Sequence, residues 1–507
     1  MKCKKFPLTS IQKGVWVHQM SYPDVPFYNI GGYLRIDGKV DPVIFEKAKR
    51  KIVRENDALR IVLRKGDLLP TQEFLEDADF DFPFVDFSEE DDPMGKAVDW
   101  IEREVSRPFD LYDRFLFRYA LVKVSEDCYC YLSCHHHLIT DGLSSRWVCL
   151  YMADAYNELM SGKDNLSPKP TYAEIVLSDK KFIQSKRFEQ CKNFWKDKYP
   201  DIPEPMVPRN HNNLPGVSTL KSGFSYVWIK REKFNELVAF SREHKATPFH
   251  LLTAALYIYF LRTAGGKNFV FGMSVSNRTT ASAKATVGLF TSVCPVRLDF
   301  GLDIKSGELL ESIAKELRRY YRYQKFPISE INKQCEIYKE GGRQLFDLTI
   351  SYEKIDYNFH FNGSPVECVT LPNGYGQIPL AIALKDYHEN QDVRLDFSYN
   401  LGFFNKTEIK YIEDRIEFIM EEMVRHPNLP VKELQIMPGK ERKKVLFSWN
   451  KTKRDFPSDI CIHNLFENQV RLNPDAVAVI IGDKRISYSD LNTRADRLAS
   501  RLQKLGL

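Results

Sequence analysis

Five prolines fall within seventeen residues, at Pro200, Pro203, Pro205, Pro208 and Pro215. No helix or central strand tolerates that density, because each proline fixes φ and removes a backbone donor. A loop there separates two halves, each with its own strand and helix signals. In the first half, Asp41-Pro42 opens a helix with Val43, Phe45, Ala48, Ile52 and Val53 mainly on one stripe. Phe115–Val124 and Cys128–His137 read as strands, and Ser125-Glu126-Asp127 between them predicts a hairpin. A helix follows Gly142 to about Met160, and a charged helix runs from about Ser178 to Lys198. In the second half, Phe224–Ile229, Asn268–Val275, Leu345–Tyr352, Ile378–Leu384 and Val393–Tyr399 read as strands. Helices are expected within 231–264, at 306–323 and at 406–424. The mixed order predicts an α/β chain of two layered lobes, not one doubly wound sheet.

The length of 507 residues allows two to four domains at ~150 residues each. The net charge of +5 is too small and dispersed to argue for a nucleic-acid partner. Aromatic residues at 13% exclude disorder over most of the chain. The first residues lack the apolar core of a secretory signal, and the apolar run Leu251–Leu261 is too short to span a bilayer. The ten scattered cysteines read as free thiols, so a cytoplasmic protein with no membrane partner is expected. Residues 427–460 carry Pro427, Pro430, Pro438, Gly439, Pro457 and the basic run Lys440–Lys444, which reads as a tether. The stretch after Ile460 is too short to bury a core of its own. The expected organisation is a first lobe at 1–175, a second at 176–435, a linker at 436–460 and a partial C-terminal α/β segment at 461–507.

The densest chemistry is Cys134-His135-His136-His137-Leu138-Ile139-Thr140-Asp141-Gly142. In a strand, His136 shares the apolar face of Cys128, Cys130, Leu132 and Cys134, while His135 and His137 share the face of Tyr129, Tyr131 and Ser133. His137 comes last, where the strand opens into a loop and can reach a cleft. A neutral imidazole there takes a proton from an amine or thiol near pH 7. Asp141 either orients that histidine or binds an arginine and holds the loop; the spacing leaves both open. Gly142 has no Cβ, so a substrate can approach its backbone closely. Cys128, Cys130, Cys134 and His136 are poor zinc ligands, because a regular strand sets them along a line, and no metal is expected.

These residues resemble the HHxxxDG motif of nonribosomal peptide synthetase condensation domains. Further segments are similar to that family's signatures in order: Leu8-Thr-Ser10-Ile-Gln12-Lys-Gly-Val-Trp16, Arg54-Glu-Asn-Asp-Ala-Leu59-Arg60, Gly288-Leu-Phe290-Thr-Ser292-Val-Cys-Pro295-Val-Arg297 and Tyr323-Gln324-Lys-Phe-Pro327. His463–Glu467, Asn473–Ala478 and Ile486–Asn492 look like the opening of an adenylation domain. The resemblance implies two chloramphenicol-acetyltransferase-like lobes in a V-shaped pseudo-dimer, with the motif loop at their junction. It implies amide formation between a donor acyl thioester and the α-amine of a carrier-bound aminoacyl acceptor. His137 and Gly142 would serve catalysis, His136 would support the motif, and Asp141 would pair with Arg60. Leu289, Phe290 and Ser292 would line a substrate tunnel.

Segments 176–179 and 184–189, Phe194-Trp195, and Ser292 where most of the family has Asn, resemble the initiating, fatty-acylating type found in surfactin-type synthetases. With the motifs starting within ten residues of Met1, the donor is expected in trans, as acyl-CoA or on a separate carrier. The acceptor is expected on a downstream peptidyl carrier protein of the same synthetase. Substrates would ride on phosphopantetheine or coenzyme A, with no cofactor bound by a monomeric domain. The alternatives are an elongation domain taking a peptidyl donor, an epimerization domain, or a non-catalytic carrier-docking domain.

Overall fold

The computed structural model describes residues 5–164, 167, 169–207, 219–265, 268–340 and 344–507. The chain divides into two compact units, Met1–Pro438 and Gly439–Leu507.

Among the described residues the first unit contains two six-stranded sheets and a three-stranded one. The first large sheet runs, in spatial order, through His360–Phe361, Ser364–Leu371, Asn29–Asp37, Cys128–His136, Phe117–Ser125 and Phe84–Asp86. Cys128–His136 is central, so both its faces are buried, and they divide as period-two alternation requires. Tyr129 and Tyr131 join a core with Phe45 and Ile52 of the helix Pro42–Glu55 and Met152 of the helix Gly142–Met160. Cys130, Leu132 and Cys134 pack with Ala97, Ile101 and Val105 of the helix Pro93–Ser106 on the other face. The second large sheet runs through Ser292–Leu298, Phe269–Val275, Leu348–Lys354, Leu380–Asp386, Val393–Asn400 and Ser222–Ile229. Its core takes in the helix Pro248–Ala264, whose residues Leu251–Leu261 are all buried.

Three of the structure's departures from the sequence expectation bear on how the sheets are joined. The charged helix at 178–198 is two helices, Tyr172–Ile183 and Lys186–Lys198. Ser185 breaks it by capping the second, its Oγ accepting the Phe188 N–H at 3.3 Å. The strand Asn29–Asp37 went unread because Gly31-Gly32 weakens the strand signal. The fold requires glycine at 32, since a Cβ would lie 2.2 Å from the Val369 carbonyl oxygen on the neighbouring strand. That neighbour is the third departure: Ser364–Leu371 comes from the second half, yet pairs antiparallel with Asn29–Asp37, Val366 opposite Ile36. A single cut at residue 175 therefore does not separate the two sheets. Much of the proline-rich loop, 208–218, lies outside the described residues.

The second unit comprises the helices Ile462–Leu472 and Tyr488–Lys504 with the hairpin Val477–Ile481 and Lys484–Ser487. None of residues 439–507 is buried. Among the described residues no helix is long and apolar enough to cross a membrane.

Candidate active site

The motif sits where the central strand ends at His136 and the helix Gly142–Met160 begins. The side chains of His135 and His136 turn to opposite faces. His135 Nε2 bonds the Tyr119 hydroxyl at 2.7 Å inside the tyrosine-lined core. His136 is buried and accepts the Leu138 N–H on Nδ1 at 3.1 Å, which leaves Nε2 as its protonated nitrogen, 3.4 Å from Gln19 Oε1. Burial, with the neighbouring His137 and Arg118, pushes His136 down to about 3, so it is neutral at physiological pH.

His137 lies just beyond the strand. Its N–H donates to the Tyr28 carbonyl at 2.8 Å, which fixes the backbone there. The side chain is partly exposed, and Nδ1 is turned inward toward the backbone of its own turn. Burial holds its pKa below the ordinary 6.5, opposed by the charge of Asp141 and by the backbone of Thr140 and of His137 itself. At neutral pH the imidazole is therefore a free base.

Asp141 is fully buried and caps the helix. Oδ1 accepts the Ser144 N–H at 2.8 Å and the Arg278 guanidinium at 2.9 Å. Oδ2 accepts the N–H groups of Phe290 and Thr291 at 3.0 and 3.1 Å and the Thr291 hydroxyl at 3.2 Å. Burial alone would raise this carboxyl, but Arg278 and these hydrogen bonds hold it below its usual value. Arg278 donates further to the carbonyls of Ala283 and Thr286 and to the Ser144 hydroxyl, each at 2.6 Å. Asp141 is thus the joint between the first-sheet motif and the segment 278–291, which precedes a strand of the second sheet.

This corrects the expected partner. Arg60 does not meet Asp141; it donates to the carbonyls of Leu75 at 2.7 Å and Val53 at 2.9 Å, and to that of Arg54, tying the end of the helix Pro42–Glu55. Arg278 was unread because nothing local marks it: it stands 137 residues from Asp141. Leu289 and Phe290, expected as tunnel walls, are packed instead. The Leu289 carbonyl accepts the Tyr172 hydroxyl at 2.8 Å, and the Phe290 ring lies 3.8 Å under the Arg278 guanidinium. Gly288 is required, since a Cβ there would lie 2.1 Å from the Tyr172 ring. Ser292 accepts the Asn277 side-chain N–H at 2.8 Å.

Gly142 differs from Gly288. It is exposed, and a Cβ built on it would meet nothing within 4 Å, so the protein itself does not demand glycine there. Two further supports come from the helix Ser10–Ser21. The buried Gln12 donates to the Leu138 carbonyl at 2.9 Å, and Gln19, seven residues on and so on the same face, meets His136. Two buried glutamines at that spacing are a sequence signal, because a buried amide needs partners. Among the described residues no group of three or more His, Cys, Asp or Glu side chains could hold a metal ion.

The two-lobed fold with a free histidine on a pinned loop defines a class, and the family comparison agrees with it: residues 2–446 match the condensation domain model. The chain belongs to that family, the amide-forming enzymes of nonribosomal peptide synthetases. It is 27% identical to surfactin synthase subunit 1 of Bacillus subtilis (strain 168), over all of this chain and 14% of that protein. It is 25% identical to a plipastatin synthase of the same organism, over 99% of this chain and 20% of that protein. The chain thus spans a fifth or less of these relatives. Among solved structures, the starter condensation domain of rhizomide synthetase, as a mutant in complex with C8-CoA, superposes with a TM-score of 0.77 at 22% identity, covering 86% of this chain and 98% of that one. The first condensation domain of the calcium-dependent antibiotic synthetase, with a substrate analogue, gives 0.76 at 20% identity, covering 86% and 99%.

Proposed function

We propose that this chain joins a fatty acyl donor, presented in trans as a thioester, to the α-amine of an aminoacyl group on the phosphopantetheine of a carrier protein. The observation that carries the reading is His137: a neutral imidazole at the open end of a rigid strand, on a loop pinned through Asp141. The amine nitrogen attacks the thioester carbonyl, the carbon–sulfur bond breaks, and the amide and a free thiol leave. His137 accepts the amine proton and can return it to the departing sulfur, so no group on the enzyme is consumed. Holding two tethered reactants together supplies much of the rate. Gly142 leaves open space over the first turn of the helix for the substrate.

The initiating, fatty-acyl form of the reaction is supported by two kinds of relative: synthetases of the surfactin and plipastatin type, and starter condensation domains, one of them with C8-CoA. The segment from 461 onward is assigned to the start of an adenylation domain. Its motifs support this, as do the exposed Ile480, Ile481, Leu498 and Leu505, which need a larger core to cover them. Octanoyl-CoA and an aminoacyl-loaded carrier should give an N-octanoyl aminoacyl thioester, detected by mass. If only a peptidyl carrier supports product, the domain is an elongation enzyme and the fatty-acyl reading fails.

A further inference from the structure

The helix Gly142–Met160 carries a half-open strip beyond the residues of the motif. At about 100° per residue, Leu143, Trp147 and Leu150 fall on one side of the helix. All three are only partly buried. The strip is bordered on both sides. On one side the segment 285–288 is tied to the helix by the Ser144 hydroxyl donating to the Gly288 carbonyl at 2.7 Å and the Tyr151 hydroxyl donating to the Ala285 carbonyl at 3.3 Å. On the other side the segment 356–362 is tied by Arg146 Nε donating to the Asp356 carbonyl and the Asn157 amide donating to the His360 carbonyl, both at 2.8 Å. The strip begins beside Gly142, where the space is open.

Trp147 is the anomaly in it. Its ring is fixed, stacked on Tyr151 at 5.6 Å with planes 19° apart and with the Arg146 guanidinium 4.7 Å from the ring. Its Nε1–H is shielded from solvent yet has no hydrogen-bond partner among the described residues. A buried indole N–H ordinarily finds an acceptor, because leaving it unmade costs the desolvation of the group. A carbonyl brought by a ligand would satisfy it once the side chains that shield it give way.

We infer that Trp147 Nε1 donates to an amide carbonyl of a pantetheine arm lying along this strip, an inference that rests on the condensation reading. The chemistry fits. Pantetheine is a narrow chain of apolar methylenes interrupted by amides, and the strip is apolar with one fixed donor. The spacing fits too: Trp147 is five residues from Gly142, about 7.5 Å along the helix. That is the scale separating a thioester carbonyl at the motif from the first amide beyond the sulfur. Two arms carry this chemistry, the donor's and the acceptor's.

The test compares kcat/KM in the full chain and in Trp147→Phe, which keeps an aromatic side chain but loses the N–H and the second ring; the ethanethiol esters report the effect of the lost ring alone. Octanoyl donors are supplied as the coenzyme A, N-acetylcysteamine and ethanethiol esters, and aminoacyl acceptors as the N-acetylcysteamine and ethanethiol esters. The first two donors and the first acceptor hold an amide beyond the sulfur; the ethanethiol esters hold none. Loss of one neutral hydrogen bond should raise KM about five- to tenfold with kcat retained, for amide-bearing esters only. Loss confined to donors places the donor arm on the strip, and loss confined to acceptors places the acceptor arm there. Trp147→His, which restores a ring N–H, should recover part of the affinity, and a melting curve checks that both variants are folded. Equal loss with and without the amide, or no loss, overturns the inference. Product from the unaltered chain tests the condensation reading separately: if it forms none, that reading has failed, whatever the variants do.

Discussion

At the scale of single residues, His137 and Asp141 divide the work of the motif. His137→Ala should change the melting temperature little, since the side chain is partly exposed and its polar contacts are with the backbone of its own turn, and lower amide formation by ~10²–10⁴. Single-turnover rates with a slow acceptor are the measurement, so that chemistry limits. The active form is the free base and its pKa is lowered. Activity should therefore persist as pH falls through the ordinary histidine value of 6.5 and be lost only below it. Asp141→Ala should instead cost stability, about 3–5 kcal/mol, because it strands the buried Arg278. A double-mutant cycle should show strong coupling between Asp141 and Arg278 and none between Asp141 and Arg60. With its folded pKa depressed, Asp141 contributes stability that is present above its unfolded value of 3.8 and lost as pH falls through the folded one. Gly142→Ala separates the two roles again. The chain offers no clash to a Cβ, so folding should hold, while turnover falls if substrate crosses that backbone.

At the scale of elements, the legible parts were those with a local cause. The strand Cys128–His136 was readable from its alternation, and the helix after Gly142 from its apolar period. The loop's true partner was not, because Arg278 and Asp141 are brought together only by the docking of two sheets. Gln12 and Gln19 were readable in principle but look like ordinary surface polar residues until the helix Ser10–Ser21 is known to pack on the motif. The helix Pro42–Glu55 hides a similar surprise. Lys49 falls within its apolar stripe, between Phe45 and Val53, and is completely buried, with Nζ 3.3 Å from the centre of the Tyr119 ring and no hydrogen-bond partner among the described residues. Burial drives its pKa well below the ordinary 10.5. Between that lowered value and 10.5 the folded chain holds the amine neutral while the unfolded chain protonates it, so the residue costs stability that is recovered only as pH climbs to 10.5. Lys49→Met should raise the melting temperature, and the gain should shrink as pH climbs toward 10.5. A gain that does not change with pH would mean that the amine is charged in the folded state.

At the scale of the whole molecule, sequence order and spatial order part company. The expected division places a first lobe at 1–175 and a second at 176–435, but Ser364–Leu371 crosses back to pair along Asn29–Asp37. Residues 1–175 expressed alone would expose that strand's free edge and its apolar partners, so they should aggregate or remain unfolded rather than give a half-enzyme. The other boundary behaves differently. Every buried residue of the chain lies at or before Leu434 among those described. Residues 1–438 should therefore unfold in one cooperative transition at the temperature of the full chain's main transition. Residues 439–507 carry amphipathic helices with Leu498, Leu502 and Leu505 exposed and nothing buried, so they lack the apolar burial needed to offset the entropy of ordering. As an isolated peptide they should show no cooperative melt by circular dichroism. A sharp transition in that peptide would show that its helices and hairpin form a core of their own, and would remove the argument from its exposed apolar residues for a larger adenylation domain around it.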